Sequence, residues 1–152
     1  MEKNLVFDMD GTIVNFYGVY NWLNYILEED DYPYRNAEPL YNMNDLNLIL
    51  ETLKTFGWKI IVTTWLARGA SESYNRKVAA AKRQWLSKYG FPYDELNICK
   101  YGTNKTKFLK KGGIKILIDD DDDVRSRWNI GESIDANQDI LEYLKDLLKK
   151  EI

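Results

Sequence analysis

Polar side chains that can bind metal ions and phosphate follow four short apolar runs of the sequence. In chain order they are Asp8 and Asp10, Thr63 and Thr64, Lys100 or Lys105, and Asp119 and Asp120. Carboxylates, hydroxyls and an ammonium group around one point can hold Mg²⁺, provide a nucleophile and donate hydrogen bonds to a phosphoryl group. The sequence therefore predicts a phosphate-handling site, provided that the fold brings these places together.

The four runs are short and rich in branched residues, which is typical of buried strands in a parallel sheet. They cover residues 4–7, 59–62, 96–99 and 114–118, and amphipathic helices are predicted over 44–56, 71–89 and 137–150. Strands that alternate with helices of this length indicate βαβ units. The predicted fold class is α/β, a Rossmann-like, three-layer, wound parallel sheet, in which ligands bind outside the carboxyl ends of the strands.

The segment between the first strand and the first of these helices is too long for an ordinary connection. It covers about 14–43 and holds eight of the chain's 21 aromatic residues, which we interpret as a small helical cap over the carboxyl edge of the sheet. Within the cap we expect a helix around 17–29, followed by an irregular acidic loop. The chain, 1–152, is predicted to be one domain that carries this insert.

The composition excludes several classes of site. The chain has no histidine, which rules out a Ser-His-Asp triad, a His-liganded zinc centre and histidine acid–base catalysis. Its single cysteine, Cys99, cannot form an intrachain disulfide, and we expect a buried, inert thiol. The net charge of −3 argues against a sequence-independent grip on duplex DNA, although a local patch could hold a nucleic-acid end.

The sequence offers no sign of a membrane or export segment. No apolar stretch is long enough to span a membrane, and the first residues carry no signal-peptide core. Together with the single free thiol, this predicts a cytoplasmic protein that has no membrane partner. Any catalysis must use carboxylates, hydroxyls and lysines, with or without a metal ion.

The polar residues match, in order, the motifs of the haloacid dehalogenase-like hydrolases, which the sequence resembles from Asn4 to about Ile134. Asp8-Met9-Asp10-Gly11-Thr12 resembles their first motif, DxDG[TV], and Thr63 resembles the Thr or Ser that ends the next strand. Lys105 resembles the third-motif lysine, and Asp119-Asp120 resembles the acidic pair of the fourth. The stretch from the lysine to the acidic pair looks most like deoxyribonucleotidases and the polynucleotide 3′-phosphatase domain. The neighbouring lysines are alternatives to Lys105, namely Lys100, Lys107, Lys110 and Lys111.

The resemblance implies an Mg²⁺-dependent phosphatase that works through an aspartyl-phosphate. Asp8 is the implied nucleophile, and Asp10 is the acid that protonates the leaving oxygen and then activates water. The implied phosphate-binding residues are Thr63, Thr64, Gly11 and Lys105. The implied Mg²⁺ ligands are Asp8, the main-chain carbonyl of Asp10 and Asp120, with Asp119 supporting them, and either Asp119 or Asp120 could hold the ion.

Two segments bear on the substrate. After the second motif the family usually has a short Gly or Ser turn, whereas this chain has Trp65–Gly69. Arg68 in that segment either reaches a second phosphate or a nucleic-acid backbone, or is a surface arginine. In the cap, the rings of Tyr17, Tyr20 and Trp22 either stack on a nucleobase or pack the cap onto the sheet domain.

We therefore expect a phosphomonoester hydrolase whose small phosphorylated substrate is a nucleotide, as in a 5′-nucleotidase. A polynucleotide 3′-phosphatase, which takes a nucleic-acid end, and a sugar-phosphate phosphatase are alternatives within the same class. A protein that has this fold but binds a phosphorylated ligand or a partner without turnover is an alternative of a different class.

Overall fold

The computed structural model describes residues 1–152 and contains one sheet of five parallel strands. The strands are β1 (Lys3–Phe7), β2 (Trp58–Trp65), β3 (Glu95–Cys99), β4 (Ile114–Asp119) and β5 (Glu132–Asp135). Their order across the sheet is β3-β2-β1-β4-β5. The predicted wound parallel sheet is confirmed.

Helices cover both faces of the sheet. They are α1 (Trp22–Leu27), α2 (Tyr32–Asn36), α3 (Met43–Thr55), α4 (Glu72–Lys88), α5 (Asp122–Ser126) and α6 (Ile140–Lys149). The side chains of Leu5 and Ile60 share a core with α3, α4 and α6, whereas Val6 and Ile61, which alternate with them, pack against α5. The fold therefore has three layers. None of its helices combines the length and the apolar composition that crossing a membrane requires.

The strand order reverses between β1 and β4. From β1 the chain continues to β2 and β3 on one side, and it then returns to place β4 on the other side of β1. The two strands run in register, with Phe7 opposite Ile118, and the Asp8 N–H donates to the Ile118 carbonyl oxygen at 3.0 Å. The crevice at such a reversal is where wound sheets bind ligands, and Asp8 and Asp119 lie at its edge.

The cap leaves the sheet domain after Val14 and rejoins it at Pro39, and these two residues pair as an isolated bridge. The Asn15 N–H donates to the Glu38 carbonyl oxygen at 2.8 Å, and the Leu40 N–H donates to the Ile13 carbonyl oxygen at 2.9 Å. The narrow base confirms the small helical insert after the first strand.

The internal structure of the cap differs from the prediction. The continuous helix expected around 17–29 is wrong, since the chain forms a 3₁₀ turn at Phe16–Gly18 and then only the short helix α1. Asn21 and Glu29, on either side of α1, have φ of +62° and +54°, which a right-handed helix does not accept. The expected irregular loop contains α2, which has Pro33 in its first turn, where the missing N–H is not needed.

One strand and two element boundaries also differ from the prediction. The strand β5 was not predicted, because its sequence Glu-Ser-Ile-Asp contains a single apolar residue. The strand β2 continues through Thr63 and Thr64 to Trp65, so the second motif lies inside the strand. The last helix begins at Ile140 instead of 137, because the Asp139 carboxylate caps it by accepting from the Glu142 N–H.

The substitution Leu50→Ala should lower the free energy of unfolding by about 2–5 kcal/mol, because it leaves a cavity between α3 and the sheet, where Leu50 is fully buried. Leu48→Ala is the matched control on the same helix, since Leu48 is 69% exposed and its removal should change stability by less than about 0.5 kcal/mol. Denaturant unfolding measures both values. Equal losses would contradict the orientation of α3.

Candidate functional site

A buried lysine joins two carboxylates at the carboxyl ends of β1 and β4. Lys105 Nζ donates to Asp8 Oδ1 at 2.9 Å and to Asp119 Oδ2 at 2.7 Å. Lys105 begins a 3₁₀ turn, which Asn104 caps by accepting from the Thr106 N–H. Lys100 is exposed and makes no such contact. Of the neighbouring lysines considered from the sequence, Lys105 is the one that the fold brings to the carboxylates.

The ion pair fixes the charge of Asp8. Burial alone would raise the pKa of Asp8, but the charge and the hydrogen bond of Lys105 outweigh burial and hold this pKa below its usual value. Burial opposes the charge on Lys105 as well, yet Asp8 and Asp119 raise the pKa of its ammonium above the ordinary range. Thr12 Oγ1 donates to the second oxygen of Asp8 at 3.1 Å. Asp8 is therefore an oriented, ionised carboxylate.

Three carboxylates form a group that could hold a metal ion. Oxygens of Asp8, Asp119 and Asp120 lie within 4.8 Å of one another. Both oxygens of Asp119 accept hydrogen bonds, one from Lys105 and one from the Asp121 N–H at 3.0 Å. The half-buried Asp120 has only a long contact from Thr12, at 3.4 Å, and burial together with the charge of Asp8 raises its pKa to about 8. Crowded oxygen ligands of this kind fit a hard divalent cation.

Gly11 allows the loop after β1 to pass close to the acidic group. Its φ is +82°, which side-chain-bearing residues rarely adopt, and a Cβ at this position would collide with the carboxylate of Asp120. The Gly11 N–H donates to the Val14 carbonyl oxygen at 2.9 Å, which closes the turn. The glycine of the Asp8–Thr12 motif is therefore required by the geometry of the loop.

A second buried lysine, which the sequence analysis missed, pairs with Asp10. Lys82 of α4 is 1% exposed, and its Nζ donates to Asp10 Oδ2 at 3.0 Å and to Thr64 Oγ1 at 2.6 Å. Its position in the sequence carried a signal. With Val78 and Trp85 it follows the helical spacing of the buried face of α4, where a lysine requires a partner.

The carboxyl group of Asp10 has the opposite pKa shift to that of Asp8. Burial raises the pKa of Asp10, Lys82 lowers it and the charge of Asp8 raises it again, and the net pKa is above the usual value. Two neighbouring carboxyl groups whose environments shift their pKa values in opposite directions are typical of a nucleophile and an acid.

The two threonines of the second motif have different surroundings. Thr64 lines the cavity that holds Asp8 and Asp10, whereas the Thr63 hydroxyl accepts a hydrogen bond from Asn97 at 3.3 Å and is not part of the lining. The phosphate-binding role of Thr63 stays a prediction. Cys99 is half-buried instead of fully buried, and its S–H donates to the Thr64 carbonyl oxygen at 3.5 Å. Burial raises the pKa of the Cys99 thiol, which fits an unreactive side chain.

These groups open into a cavity of about 850 Å³ between the cap and the sheet edge. Tyr17 and Trp22 of the cap line it, as does Arg68 after β2. Tyr20 does not line it, and its side chain is 86% exposed. The fold thus brings together most of the sequence-predicted side chains, namely Asp8, Asp10, Thr64, Lys105, Asp119, Asp120, Arg68, Tyr17 and Trp22.

The comparisons with known proteins bear on the fold alone. No protein-family model and no curated protein matches the chain. Among solved structures, the chain is similar to a chain in the structure of the Pnkp1/Rnl/Hen1 RNA repair complex, with 20% sequence identity and a TM-score of 0.51. The match covers 89% of this chain and 42% of that chain, so this chain spans less than half the length of its neighbour.

We expect Asp120→Asn to raise the melting temperature in metal-free buffer at pH 8. The pKa of Asp120, about 8, lies above the unfolded value, so the folded state binds the proton more tightly and loses stability as pH rises from about 4 to 8. The side-chain amide introduced by Asp120→Asn does not ionise, so the variant does not lose stability in this way. It should also remove most of the stabilisation that Mg²⁺, the ion predicted from the sequence, gives the wild type.

Thermal unfolding in EDTA and in Mg²⁺ measures both effects. Asp119→Asn should reduce the Mg²⁺ effect less than Asp120→Asn does, because both Asp119 oxygens already accept hydrogen bonds. Asp122→Asn is the control, since the Asp122 side chain is 94% exposed, and it should leave the Mg²⁺ effect unchanged. The same Mg²⁺ effect in all three variants would show that the ion binds elsewhere.

The substitution Lys82→Gln should raise the pKa of Asp10 further, because it removes the cation that opposes burial and the charge of Asp8. Carboxyl-carbon NMR titration measures this pKa. Lys77→Gln, at an exposed position of the same helix, is the control and should leave it unchanged. An unchanged Asp10 pKa in Lys82→Gln would contradict the ion pair.

Proposed function

We propose that the chain is an Mg²⁺-dependent phosphomonoester hydrolase that works through an aspartyl-phosphate on Asp8, as in the haloacid dehalogenase-like hydrolases that its motifs resemble. The observation that carries the proposal is the pair Asp8 and Asp10, two carboxyl groups that face one cavity and have pKa shifts of opposite sign. The opposite shifts favour Asp8 as the nucleophile and Asp10 as the acid.

In the first step an Asp8 oxygen attacks phosphorus, and the bond between phosphorus and the ester oxygen breaks. Asp10 gives its proton to the leaving oxygen, which departs as an alcohol. Lys105 offsets the negative charge on the phosphoryl oxygens, and the Thr64 hydroxyl and the backbone amides beside it donate to them. Lys82 holds the Asp10 carboxyl group in the cavity through its 3.0 Å contact.

In the second step water attacks the phosphorus of the aspartyl-phosphate, and the Asp10 carboxylate accepts the proton of that water. The phosphoryl bond to Asp8 breaks, inorganic phosphate leaves and Asp10 regains its proton. Asp8, Asp120 and the main-chain carbonyl of Asp10 would hold Mg²⁺, which would act as a Lewis acid and offset the negative charge of the phosphoryl group.

The proposed substrate is a nucleotide or a phosphorylated nucleic-acid end. A cavity of about 850 Å³ has room for more than a phosphate group, and rings line it on both sides. The structural neighbour comes from an RNA repair complex, which adds a nucleic-acid end to the proposed substrates. A sugar phosphate would leave these rings without a stacking partner.

We expect Asp8→Asn to abolish hydrolysis, because the amide is not a nucleophile. Asp10→Asn should lower kcat by about 10²–10⁴-fold, the value of a positioned acid–base group. Phosphate release from glycerol phosphate and from nucleoside monophosphates, with Mg²⁺, measures the rates, and circular dichroism checks that both variants fold.

Asp146→Asn is the control for these variants, since Asp146 lies on the exposed surface of α6 and its side chain is 60% exposed. It should keep wild-type rates. A rate for Asp8→Asn or Asp10→Asn within about threefold of the wild type would contradict the mechanism, because a threefold loss is far smaller than the contribution of a catalytic acid–base group, about 10²–10⁴-fold. If no ester is hydrolysed but phosphorylated ligands bind, the chain is a binding protein with this fold.

A further inference from the structure

The two walls at the mouth of the cavity differ in chemistry. Asp121, Asp122 and Asp123 line one wall, and this wall repels anions. The second wall is built from the end of β2 and from the turn after β3, and its residues are Trp65, Leu66, Ala67, Arg68 and Tyr101. The two walls adjoin at Trp65, whose ring lies 5.9 Å from the guanidinium carbon of Arg127 at the end of α5. The second wall carries no carboxylate, so it favours an anionic ligand that extends from the phosphate site.

An aromatic pair forms the inner part of this second wall. Trp65 lies opposite Cys99 in the β2–β3 register, and the turn after Cys99 brings the ring of Tyr101 to 4.8 Å from that of Trp65, between ring centres. Trp65 Nε1 donates to the Thr103 carbonyl oxygen at 2.9 Å, which holds the turn in place. The ring of Trp65 is 5.3 Å from Lys105 Nζ, so the pair adjoins the Asp8 site, and Tyr101 is 45% exposed.

Arg68 lies next to this pair. The central carbon of its guanidinium is 5.7 Å from the centre of the Tyr101 ring, and Arg68 is exposed. It forms no ion pair with a carboxylate of the chain. A guanidinium beside an exposed ring, with its charge uncompensated, matches the combination that holds a base and a neighbouring phosphate.

A second depression of the surface adjoins the wall that contains Trp65 and Tyr101. Its volume is about 510 Å³, and it shares Leu66 with the main cavity. Arg76 and Lys100 line it together with the carboxylate of Glu72. Two exposed cations thus line a depression that adjoins the second wall at Leu66.

We propose that this wall binds the end of a single-stranded nucleic acid whose terminal phosphate occupies the Asp8 site. The inference rests on the proposed function and names its substrate class. The terminal base stacks on Tyr101, Arg68 binds the next phosphodiester, and Arg76 and Lys100 bind the backbone beyond it. Stacking on Tyr101 needs an unpaired base face, and the acidic wall opposes the second strand of a duplex.

The test compares four substrates, all with Mg²⁺: glycerol phosphate, a nucleoside monophosphate, single-stranded hexanucleotides and a blunt duplex of the same sequence. DNA and RNA hexamers with the phosphate at the 3′ or the 5′ end are all included. At least one hexamer should exceed the nucleoside monophosphate and the duplex in kcat/KM by about tenfold, because it adds the phosphodiester contact to Arg68 and a hydrogen bond to a charged group is worth about 1.5 kcal/mol or more.

Substitutions outside the group of Asp8, Asp10 and Lys105 test which residues produce the preference for nucleotide substrates. Tyr101→Ala should lower kcat/KM for the monophosphate and the hexamer by about 5- to 150-fold, and Tyr101→Phe should restore it. Glycerol phosphate should be unaffected. Tyr93→Ala is the matched control, because Tyr93 is 37% exposed but precedes β3, at the opposite edge of the sheet.

Arg68→Ala should lower kcat/KM for the hexamer alone, because a monophosphate has no second phosphate. Binding of a fluorescent, unphosphorylated hexamer, which cannot be hydrolysed, should show a salt dependence of log Kd whose slope falls by about 0.7 in this variant, the value of one contact to a single strand. Arg76→Ala should have the same effect, and Arg83→Ala, at an exposed position of α4 outside both cavities, should have none.

The outcomes separate the two proposals. The subsite is overturned, and the phosphatase is not, if glycerol phosphate is hydrolysed and kcat/KM is the same for the monophosphate and the hexamer. The same conclusion follows if Tyr101→Ala and Tyr93→Ala lower kcat/KM equally. If no ester is hydrolysed, the phosphatase is overturned, and hexamer binding still decides the subsite. Loss of hexamer binding in Tyr101→Ala and Arg68→Ala supports the proposed subsite, and unchanged binding in these variants overturns it.

Discussion

The buried ammonium of Lys105 is the interaction on which the arrangement of this site depends. The strand reversal puts Asp8 beside Asp119 and Asp120, and three carboxylates in one partly buried group repel one another. Lys105 bridges Asp8 and Asp119 at 2.9 and 2.7 Å, and burial together with the charge of Asp8 still raises the pKa of Asp119 to about 6 and that of Asp120 to about 8. One cation therefore offsets part of the charge of the group, and the charge that remains fits a divalent ion.

Lys105 and Lys82 each contact a carboxyl group, but the net pKa shifts of the two carboxyl groups differ in sign because their surroundings differ. Lys105 contacts Asp8 directly and lowers its pKa, although the carboxylate is buried. Lys82 contacts Asp10 at a similar distance, but burial together with the charge of Asp8 raises the pKa of Asp10 by more than Lys82 lowers it. Two carboxyl groups two residues apart thus have pKa values that are shifted in opposite directions.

The sequence predicted what is local and missed what depends on tertiary contacts. Apolar runs that end in Asp8 and in Asp119 identified β1 and β4 and their polar ends, because each run is buried on both faces. No comparable pattern marks β5, and the breaks around α1 lie at Asn21 and Glu29, which are not glycines. The contact between Trp65 and Tyr101 depends on the register of β2 and β3, which the sequence does not specify.

The small size of the cap explains why the rim of the cavity is built by strand ends. An insert between Val14 and Pro39 is too short for a core of its own, so it uses large rings for packing. Phe16 and Tyr34 are buried, and the Trp85 Nε1–H donates to the Ala37 carbonyl oxygen at 2.8 Å to hold the cap on α4. Phe16 and Tyr34 are used in this way, whereas Tyr17, which lines the cavity, is 53% exposed. The exposed ring of Tyr101 and the uncompensated cation of Arg68 come from outside the cap, from the turns after β3 and β2.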